Sequence, residues 1–561
     1  MLLQPGRFAA LVVVFFLIFF CLGFQLIKIQ IIDSSRFMQL ALNQRSEVLR
    51  VGPPRGLILD RNYQSLTEGT REKAIVVFPR LLQSGDSRLI RLRRGNDVAL
   101  RRFIETPPTS AAPFIAETGV STTTQQEINQ LNNPGIVCVD LPLRYDRGGL
   151  ACHLVGYTSL RDNKGVFGVE KMLDRYLAAD DPGLSIVALV DANRRLIPGL
   201  GYRIVENRSR PSVVLTIDKR IQRIVDRVMD RMVPRGACVV MRSDTGEVLA
   251  MSSRPKFDPN DVASYLGRPD SPLLNRALAA YPVGSVFKVV VAAAALEEGI
   301  TTEREVFTDP GYITVGSNMF RCYKFDEGGH GQLDFTKAFA DSCNVAFIEV
   351  GERLGRDKLV DYAERFGFAR PTGIGLAEEE PGRLPGGWNM SAGDIANMSI
   401  GQGEMLGTPL QVTAMAASIA NGGILVRPRV VREIRDASGK VVRRFDPPPD
   451  GAGYRVVSEA TAKRVARLMR VTVVSGTGRN ARVEGWEIAG KTGSPETGKL
   501  DADGKSISHA WFAGYGKGHV KGYGNIGLAC TVLVEEGGSG GDVAARVFHD
   551  IMKGIKDEEG H

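Results

Sequence analysis

The sequence predicts an α+β protein of several domains, with an N-terminal transmembrane helix and a C-terminal antiparallel sheet flanked by helices. Three observations lead to this fold class. The chain has 561 residues, which suggests three or four folding units. Residues 8–27 form an apolar run without a charged side chain. Strand-like patterns occur at both ends of the C-terminal half, and helical patterns lie between them.

The apolar run of residues 8–27 is long enough to span a bilayer. Arg7 precedes it and Lys28 follows closely, so charge asymmetry says little about orientation. No small-residue cleavage site follows the run, which favours a retained anchor over a removed signal peptide. Because no second run of this length occurs, we expect the rest of the chain on one side of the membrane.

The net charge of +8 is small for a chain of this length. A net positive charge is compatible with binding to nucleic acid, anionic lipid or wall polymer. It is also compatible with an ordinary solvated surface. No zinc-finger, homeodomain or RNA-binding pattern accompanies the charge, so no nucleic-acid partner is expected. Six arginines between residues 88 and 102 suit contact with anionic lipid or wall polymer, or a solvated helix face.

Seven cysteines occur, and Cys21 lies inside the apolar run. The others form no Cys-x-x-Cys pair and no zinc-type spacing with the six histidines. They are Cys138, Cys152, Cys238, Cys322, Cys343 and Cys530. This pattern predicts small buried thiols and argues against a metal site. A disulfide between Cys322 and Cys343 is compatible with the sequence but is not deducible from it.

The C-terminal half begins with a predicted strand at residues 213–218 and a helix capped by Asp218. Residues 236–242 and 247–253 are the next two predicted strands, joined by a turn. Residues 510–515 and 526–535 are two later strands, and a closing helix at 543–552 is predicted to have Asp542 as its cap. These elements predict one sheet assembled from both ends of the domain.

Residues 281–290 contain the pair Ser285 and Lys288, spaced as Ser-x-x-Lys, at the start of an Ala- and Val-rich stretch. The stretch predicts a helix that starts at or near Ser285 and ends just before Gly299. Residues three apart share a helix face, so the lysine amine can lie beside the serine hydroxyl. A serine needs such a base to become a nucleophile. The lysine serves only if burial or a second cation lowers its pKa.

Two later motifs distinguish this pair from an ordinary helix start. Ser342, Cys343 and Asn344 form a Ser-x-Asn triplet, and Lys491, Thr492 and Gly493 follow an apolar run that predicts a strand. The ordered set of Ser-x-x-Lys, Ser-x-Asn and Lys-Thr-Gly is the signature of penicillin-binding proteins and serine β-lactamases.

From about residue 50 onward, the chain resembles the class B penicillin-binding proteins, which are monofunctional peptidoglycan D,D-transpeptidases, and most of all their division and sporulation branches. The resemblance rests on the three motifs, the box Arg-Gly-Leu-Ile-Leu-Asp-Arg-Asn at residues 55–62, and Gly-Gln-Gly at 401–403. It implies a serine transpeptidase/β-lactamase-like domain on a non-catalytic pedestal. The implied limits are 1–28 for a cytoplasmic tip and transmembrane anchor, 29–212 for the pedestal, and 213–561 for the penicillin-binding transpeptidase domain.

The resemblance also implies a role for each catalytic residue. Ser285 would attack the carbonyl between the two terminal D-alanines of a stem peptide, and Lys288 would take its proton. Ser342 would relay a proton to the departing amine, with its hydroxyl held by Lys491. The backbone N–H groups of Ser285 and Ser494 would hold the oxyanion.

The implied substrate-binding residues are Asn344, Thr492, Gly493 and Ser494. Asn344 would bind the substrate amide, and the Lys-Thr-Gly strand with Ser494 would face the terminal carboxylate. The family usually has threonine where this chain has Ser494, and Pro495 removes the next backbone donor. Proline is tolerated only at the edge or end of a strand, so contacts further along the groove are in question.

The resemblance implies peptidoglycan stem peptides as substrates, β-lactams as inhibitors and a polytopic SEDS-type glycosyltransferase as partner. It places the protein in the cell membrane as a single-pass protein with an extracytoplasmic catalytic domain, and it implies no cofactor and no metal. The alternative is a membrane-anchored β-lactamase or a β-lactam sensor. A β-lactamase needs a placed carboxylate, for which Glu378, Glu379 and Glu380 are candidates. We assign these residues to a turn instead.

Overall fold

The fold is described from a computed structural model of the chain. The structure describes residues 5–34, 36–37, 46–51, 55–68, 70–82, 112–131, 133–146, 148–159, 163–178, 184–191, 201–206, 210–386, 390–445 and 453–558. The arginine-rich stretch at 88–102 lies outside these residues.

The chain divides into two compact units, each described here by itself. The first unit contains residues 1–54, 71–142 and 180–208. The second contains residues 55–70, 143–179 and 209–561. The short segments 55–70 and 143–179 therefore group with the C-terminal part of the chain. The domain limits drawn from the sequence, at residues 28 and 212, remain predictions.

The N-terminal apolar run forms the helix Pro5–Ile27, which continues as a π-helical turn at Lys28–Ile32. Its apolar part, Phe8–Ile32, is 25 residues long and has no buried side chains. At 1.5 Å per residue this part is about 37 Å long, more than the roughly 30 Å hydrocarbon core of a bilayer. The helix is thus long and apolar enough to cross a membrane, as the sequence predicts.

Among the described residues, the remainder of the first unit forms two antiparallel sheets and a helix. One sheet has the strand order Ser46–Arg50, Leu184–Leu189, Tyr202–Glu206. The other has Arg71–Val77 between Phe114–Thr118 and Ile136–Pro142. The helix is Thr122–Leu131, and a short 3-10 turn spans Pro79–Leu81.

Both faces of the central strand Arg71–Val77 are covered. Ala74 and Val76 belong to one buried cluster, and Ile75 and Val77 belong to another. A strand that is buried on both faces has a continuous apolar sequence without alternation. The strand accordingly shows a continuous apolar run at residues 74–77.

A five-stranded antiparallel sheet is the centre of the second unit. Its strand order is Val248–Arg254, Gly236–Arg242, Gly524–Val534, Ala510–Val520 and Glu487–Gly493. Two strands come from the start of the C-terminal half and three from its end. The prediction of one sheet built from both ends of the domain is therefore confirmed.

The two faces of this sheet bury different helices. On strand Gly236–Arg242, Val239 packs in the cluster that contains helix Lys288–Glu297. Its neighbour Val240 packs in the cluster of helices Lys219–Met232 and Ala545–Asp557. Because successive residues of a strand point to opposite faces, one strand contributes to both cores.

The other helices of the second unit pack around this frame. They are Cys152–Val155, Gly168–Met172, Asp174–Leu177, Phe335–Ala340, Asn344–Arg365, Ala392–Ser399, Pro409–Ala420 and Glu459–Val474. The helix Asn344–Arg365 has a break at Gly355, where the backbone is not helical.

Smaller sheets complete the second unit. A four-stranded sheet has the order Leu57–Leu59, Ser212–Leu215, Val431–Arg435, Val441–Arg444. Paired strands are Tyr157–Thr158 with Gly165–Phe167, Tyr281–Pro282 with Leu406–Gly407, Val306–Asp309 with Gly331–Asp334, Tyr312–Val315 with Asn318–Arg321, Ile424–Leu425 with Tyr454–Arg455, and Glu496–Leu500 with Ser506–Ser508.

One of the two predicted helix caps is confirmed and the other is wrong. The Asp218 side chain accepts the N–H of Arg220 at the start of Lys219–Met232, as predicted. Asp542 does not cap the closing helix. Instead, Ser539 accepts the N–H of Asp542 and begins a π-helical turn, Gly540–Ala544, which leads into the α-helix. The hydroxyl of Ser539 lies three residues earlier, at the position from which a side chain reaches the free N–H groups.

A buried ion cluster joins three segments of the second unit. The carboxylate of Glu170 has no exposed side-chain surface and accepts from Arg55 at 2.5 Å and from Arg144 at 2.7 Å. The hydroxyl of Tyr145 donates to it at 3.1 Å, and Arg55 also pairs with Asp174 at 2.8 Å. Removing one partner of a buried pair leaves an uncompensated charge, which is strongly destabilising.

We therefore expect Glu170→Ala to lower the free energy of unfolding by about 3–5 kcal/mol, since Arg55 and Arg144 would lose their shared carboxylate. The matched control is Lys73→Ala, which removes an exposed pair with Asp140 and should cost at most about 1 kcal/mol. Denaturant titration of both variants, followed by circular dichroism, measures the difference. Equal midpoints for Glu170→Ala and the wild type would contradict the role of the cluster.

Candidate active site

Ser285 lies in a tight turn at the start of the helix that follows it. A 3-10 turn spans Gly284–Phe287, and the α-helix begins at Lys288. Gly284 has φ +60°, where a side chain would be strained. The neighbouring Gly401 lies so close that an added Cβ would be 2.1 Å from the carbonyl oxygen of Gly284. The two glycines thus allow two backbone turns to meet beside Ser285.

Lys288, the first residue of the helix that follows Ser285, is fully buried. Its Nζ donates to the carbonyl oxygen of Ser342 and to Oδ1 of Asn344, both at 2.8 Å. Burial lowers the pKa of Lys288 to about 8, against the opposing effect of Cys343 and other nearby acidic groups. Among the described residues, no hydrogen bond joins Lys288 to the Ser285 hydroxyl. The predicted direction of the pKa shift is nevertheless present, and desolvation is its main cause.

The Ser-x-Asn triplet connects two helices, Phe335–Ala340 and Asn344–Arg365. Ser342 has φ +59°, an unusual conformation for a residue with a side chain. Cys343 caps the second helix, and its sulfur accepts the N–H of Ala346. The Asn344 amide donates to the Arg321 carbonyl at 2.9 Å. The triplet is therefore held from several sides.

The Lys-Thr-Gly triplet ends the strand Glu487–Gly493 at one edge of the central sheet, so the predicted strand is confirmed. An added Cβ at Gly493 would lie 3.0 Å from the Val286 side chain and 3.1 Å from the Val283 carbonyl oxygen. Glycine at this position therefore lets the strand lie against the Ser285 turn. The Thr492 hydroxyl is 2.6 Å from that of Thr477.

Lys491 is fully buried, and the expected bond from its amine to the Ser342 hydroxyl is absent from the described residues. Its Nζ donates to the carbonyl oxygen of Thr492 at 3.2 Å and lies over the Phe339 ring. Lys288 takes the expected place, with its Nζ 3.4 Å from the Ser342 hydroxyl. Burial, and then the positive charge of Lys288, hold the pKa of Lys491 well below its usual range.

The Ser494–Pro495 departure falls outside regular strands. One strand ends at Gly493 and the next begins at Glu496, so Pro495 interrupts no ladder. The Pro495 ring lies against Gly284, only 2.9 Å from the place of an added Cβ. The Ser494 hydroxyl accepts the N–H of Gly540 at 3.0 Å. Pro495 thus packs against the turn that contains Ser285.

The three motifs meet in one cleft of about 570 Å³. Ser285, Ser342, Asn344, Thr492, Gly493 and Ser494 line the cleft. Lys288 and Lys491 are buried and bond to residues that line it. The structure therefore brings all eight predicted site residues together.

Sequence reasoning missed several residues of the cleft wall. Thr477, Arg479 and Asn480 line it beside the Lys-Thr-Gly strand, and Tyr323 and Gln402 line it elsewhere. Signals were present for Thr477, which belongs to a Ser-Gly-Thr-Gly stretch at residues 475–478, and for Gln402, which lies in the Gly-Gln-Gly motif at 401–403. No local pattern points to Tyr323 or Arg479, because they come from segments that only the fold brings to the cleft.

The three consecutive glutamates are engaged in backbone contacts. Glu378 accepts the N–H of Gly168, Glu379 accepts the N–H of Thr372, and Glu380 accepts the N–H of Ala280. None of them lines the cleft. Their assignment to a turn, rather than to a water-activating position, agrees with these contacts.

One cluster in the second unit has the donor atoms of a metal site. Asp309, Cys322, His330 and Cys343 place one ligand atom each within 4.8 Å of all the others. The sequence argued against a metal site because the four residues have no recognised spacing. The fold brings them together from separate segments, and the expectation of no metal site stays a prediction. Both cysteines are free thiols in the structure.

Comparison with known proteins places the chain in a family. The model of the penicillin binding protein transpeptidase domain matches residues 236–553. Stage V sporulation protein D of Bacillus subtilis is 32% identical over 89% of this chain and 76% of that protein. The peptidoglycan D,D-transpeptidase FtsI of Escherichia coli is 28% identical over 94% of this chain and 87% of that protein.

Solved structures agree. The apo form of penicillin-binding protein 3 from Mycobacterium tuberculosis has a TM-score of 0.62 at 26% identity and covers 92% of this chain and 97% of its own. A chain from a structure titled for the coordination of polymerization and crosslinking by a peptidoglycan synthase complex has a TM-score of 0.68 at 26% identity, with 98% of both chains covered. The cleft, its three motifs and these relatives lead to one conclusion: the chain belongs to the class B penicillin-binding proteins of the division and sporulation type, and it is a serine-type peptidoglycan D,D-transpeptidase.

Proposed function

We propose that Ser285 is the nucleophile of this transpeptidase and that Lys288 is its base. The observation that supports this most is the environment of Lys288, which is fully buried at the start of the serine's own helix. With a pKa of about 8, roughly a tenth of the amines are neutral at pH 7, against about one in a few thousand for an ordinary lysine. A neutral amine can accept the hydroxyl proton of Ser285.

The steps of the reaction are assigned from the positions of the residues in the three motifs. Ser285 Oγ attacks the carbonyl carbon between the two terminal D-alanines, and its proton passes to Lys288. The oxyanion is held by the backbone N–H groups of Ser285 and Ser494, and such donors contribute about 2.7–4 kcal/mol each. Ser342, whose hydroxyl is 3.4 Å from Lys288, returns the proton to the D-alanine nitrogen as the amide bond breaks.

Substrate binding is assigned to the other residues of the cleft. Asn344 binds the amide of the stem peptide. The terminal carboxylate faces Thr492 and Ser494, with Lys491 behind them and Gly493 allowing close approach. A primary amine of a second stem peptide then attacks the ester carbonyl, Ser285 leaves with its proton restored, and a cross-link is formed.

We further propose that β-lactams acylate Ser285 and inhibit the enzyme. A β-lactam resembles the D-Ala-D-Ala end, and its opened ring stays attached and blocks the acceptor. Hydrolysis of the ester requires a carboxylate that activates water. Glu378, Glu379 and Glu380 hold backbone N–H groups instead, which disfavours the β-lactamase alternative.

We propose a single-pass topology in which residues 55–561 lie outside the cytoplasm, with domain limits at residues 28 and 212. The support is the exposed apolar helix at Phe8–Ile32. We also propose a polytopic SEDS-type glycosyltransferase as partner in this membrane. One similar structure comes from a complex whose title names both polymerization and crosslinking, so a polymerising partner is the natural expectation for this chain.

The first test concerns the nucleophile and its base. Ser285→Ala should abolish covalent labelling by a fluorescent penicillin, because no ester can form. Lys288→Ala should slow labelling by about 10²–10⁴-fold, the usual effect of losing a general base. Exposed Lys358, paired with Glu298, provides the matched control Lys358→Ala, which should label normally. Normal labelling of Ser285→Ala would refute the assignment.

The second test uses the pKa of Lys288. Because the reactive form is the neutral amine, acylation by penicillin should speed up about tenfold per pH unit below pH 8 and level off above it. The second-order rate constant of acylation, measured by stopped-flow from pH 6 to 10, reports this profile. A rate that is independent of pH over this range, or one that falls as pH rises, would contradict Lys288 as the base.

The third test follows the acyl-enzyme. A general base that activates water would speed hydrolysis by about 10²–10⁴-fold. Because none of the three consecutive glutamates lines the cleft, the penicilloyl ester should persist for minutes or longer. The full-length protein is acylated, freed of excess drug, and its intact mass is recorded over time. The variant Glu378→Gln should behave like the wild type. Loss of the adduct within about a second, slowed by Glu378→Gln, would identify a β-lactamase instead.

The fourth test concerns topology. Alkaline phosphatase, which is active only outside the cytoplasm, should be active when fused after residue 561. A cytoplasmic reporter at the same position should be inactive, and the reverse pattern is expected for fusions before residue 5. Activity of the cytoplasmic reporter alone at the C-terminus would show that the topology is wrong.

A further inference from the structure

The three motifs supply hydroxyl groups, but no exposed cation, at the place proposed for the terminal carboxylate of the donor peptide. Thr492 and Ser494 line the cleft there. Lys491 is fully buried, and its amine donates to the carbonyl oxygen of Thr492 at 3.2 Å. Neutral donors alone stabilise a carboxylate less than a cation does, because charge-assisted hydrogen bonds are roughly twice as strong as neutral ones. A cation from another segment would therefore strengthen binding of the carboxylate.

Two arginines line the cleft, and only one of them accompanies the Lys-Thr-Gly strand. On the side of the Ser-x-Asn loop, the guanidinium of Arg321 lies over the Phe325 ring, 4.5 Å from the ring centre. Arg479 comes two residues after Thr477, whose hydroxyl is 2.6 Å from that of Thr492. Arg479 is therefore the arginine that lies on the same wall as the proposed carboxylate position.

The backbone around Arg479 is fixed, whereas its side chain is free to meet a ligand. The Thr477 N–H donates to the Ala340 carbonyl oxygen at 3.1 Å. On the other side, the Asn480 amide donates to the Gly541 carbonyl oxygen at 2.8 Å. Arg479 is exposed, and within the described part of the chain its guanidinium has no hydrogen bond, ion pair or ring contact. All five of its N–H donors therefore remain free for a ligand.

The other charges of the cleft make this cation important. Besides Arg321 and Arg479, the charged side chains that line the cleft are the carboxylates of Glu496 and Asp542. Like charges brought together oppose binding, so these two carboxylates disfavour the entry of a third. Two positive and two negative side chains balance one another, and loss of Arg479 would leave one positive against two negative.

We propose that Arg479 is a specificity-determining residue of the transpeptidase reaction, whose guanidinium pairs with the terminal carboxylate of the donor stem peptide. The hydroxyls of Thr492 and Ser494 donate to the same carboxylate. Arginine suits this role because its planar fork matches a carboxylate with two parallel hydrogen bonds. A β-lactam presents its own carboxylate to the same three side chains. The inference rests on the proposed function, which assigns the carboxylate to this end of the cleft.

The first experiment separates a charge effect from a general loss of activity. Full-length wild type, Arg479→Gln and Arg479→Lys are acylated by benzylpenicillin and by its methyl ester, which has no charged carboxylate. With benzylpenicillin, Arg479→Gln should lower the second-order rate constant by roughly 10–100-fold, the effect of losing a hydrogen bond to a charged group. With the ester, the rate constants of wild type and Arg479→Gln should be nearly equal. Arg479→Lys keeps the charge and should lose less with benzylpenicillin.

The matched control is Arg482→Gln, which removes an exposed arginine of the same segment that does not line the cleft. This variant should be acylated like the wild type by both compounds. Thermal melting followed by circular dichroism checks that all variants are folded. An unchanged rate of Arg479→Gln with benzylpenicillin would overturn the proposal. Equal losses with benzylpenicillin and its ester would also overturn it, because they would indicate a structural role only.

The second experiment uses a donor substrate rather than an inhibitor. A synthetic peptide thioester whose leaving group ends in a carboxylate is compared with the same thioester ending in an amide. Because the carboxylate is bound both before and during acyl transfer, Arg479→Gln should raise KM for the acid and leave kcat nearly unchanged. With the amide, wild type and variant should have similar kcat/KM. A lower kcat at unchanged KM for both substrates would contradict a role in carboxylate binding.

A last measurement distinguishes failure of this inference from failure of the proposed function. Ser285→Ala and Arg479→Gln are incubated with fluorescent penicillin until labelling of each is complete. We expect no labelling of Ser285→Ala, and full but slower labelling of Arg479→Gln. Normal labelling of Ser285→Ala would refute the nucleophile and, with it, the assigned position of the carboxylate. Absent labelling of Ser285→Ala together with a wild-type rate for Arg479→Gln would refute the role of Arg479 alone.

Discussion

The burial of Lys288 is the constraint on which the arrangement of the cleft depends. A lysine amine without solvent contact is costly unless acceptors surround it, and here the acceptors come from the Ser-x-Asn loop, at 2.8 Å from the amine. The first turn of the serine helix and the start of the helix Asn344–Arg365 are therefore tied together. The same burial lowers the pKa of Lys288. The burial of Lys288 thus both fixes the position of the Ser-x-Asn loop and lowers the pKa of the proposed base.

Close contacts at glycine residues bring the Lys-Thr-Gly strand next to the turn that contains Ser285. Gly493 lies against the side chain of Val286 and the carbonyl oxygen of Val283, Gly401 lies against Gly284, and the ring of Pro495 packs on Gly284. Each of these approaches would be blocked or strained by a larger residue at the glycine. The edge strand of the central sheet therefore lies directly against the serine turn.

The Ser-x-Asn loop has an irregular backbone and is held by several contacts. Ser342 keeps a positive φ, a conformation that costs free energy and persists only when neighbours hold it. Lys288 holds its carbonyl oxygen, Arg321 holds Asn344, and the cluster around Cys343 supports the middle of the loop. The cluster is close to the chemistry although none of the three motifs, considered alone, points to it.

The sequence by itself determined the apolar N-terminal helix, the sheet assembled from both ends of the C-terminal half, the Asp218 cap and eight residues that line the cleft or lie buried behind it. These follow from local rules, namely apolar periodicity, capping and three short motifs in a fixed order. Only the tertiary structure decided which remote residues contact one another. In the fold, the Lys491 amine donates to Thr492 rather than to Ser342, and Ser539 rather than Asp542 is the cap. Thr477 and Tyr323 lie in the cleft wall. The fold also joins Asp309, Cys322, His330 and Cys343. The physical reason is that side-chain distances between remote segments depend on how the elements pack, and no spacing along the chain records that packing.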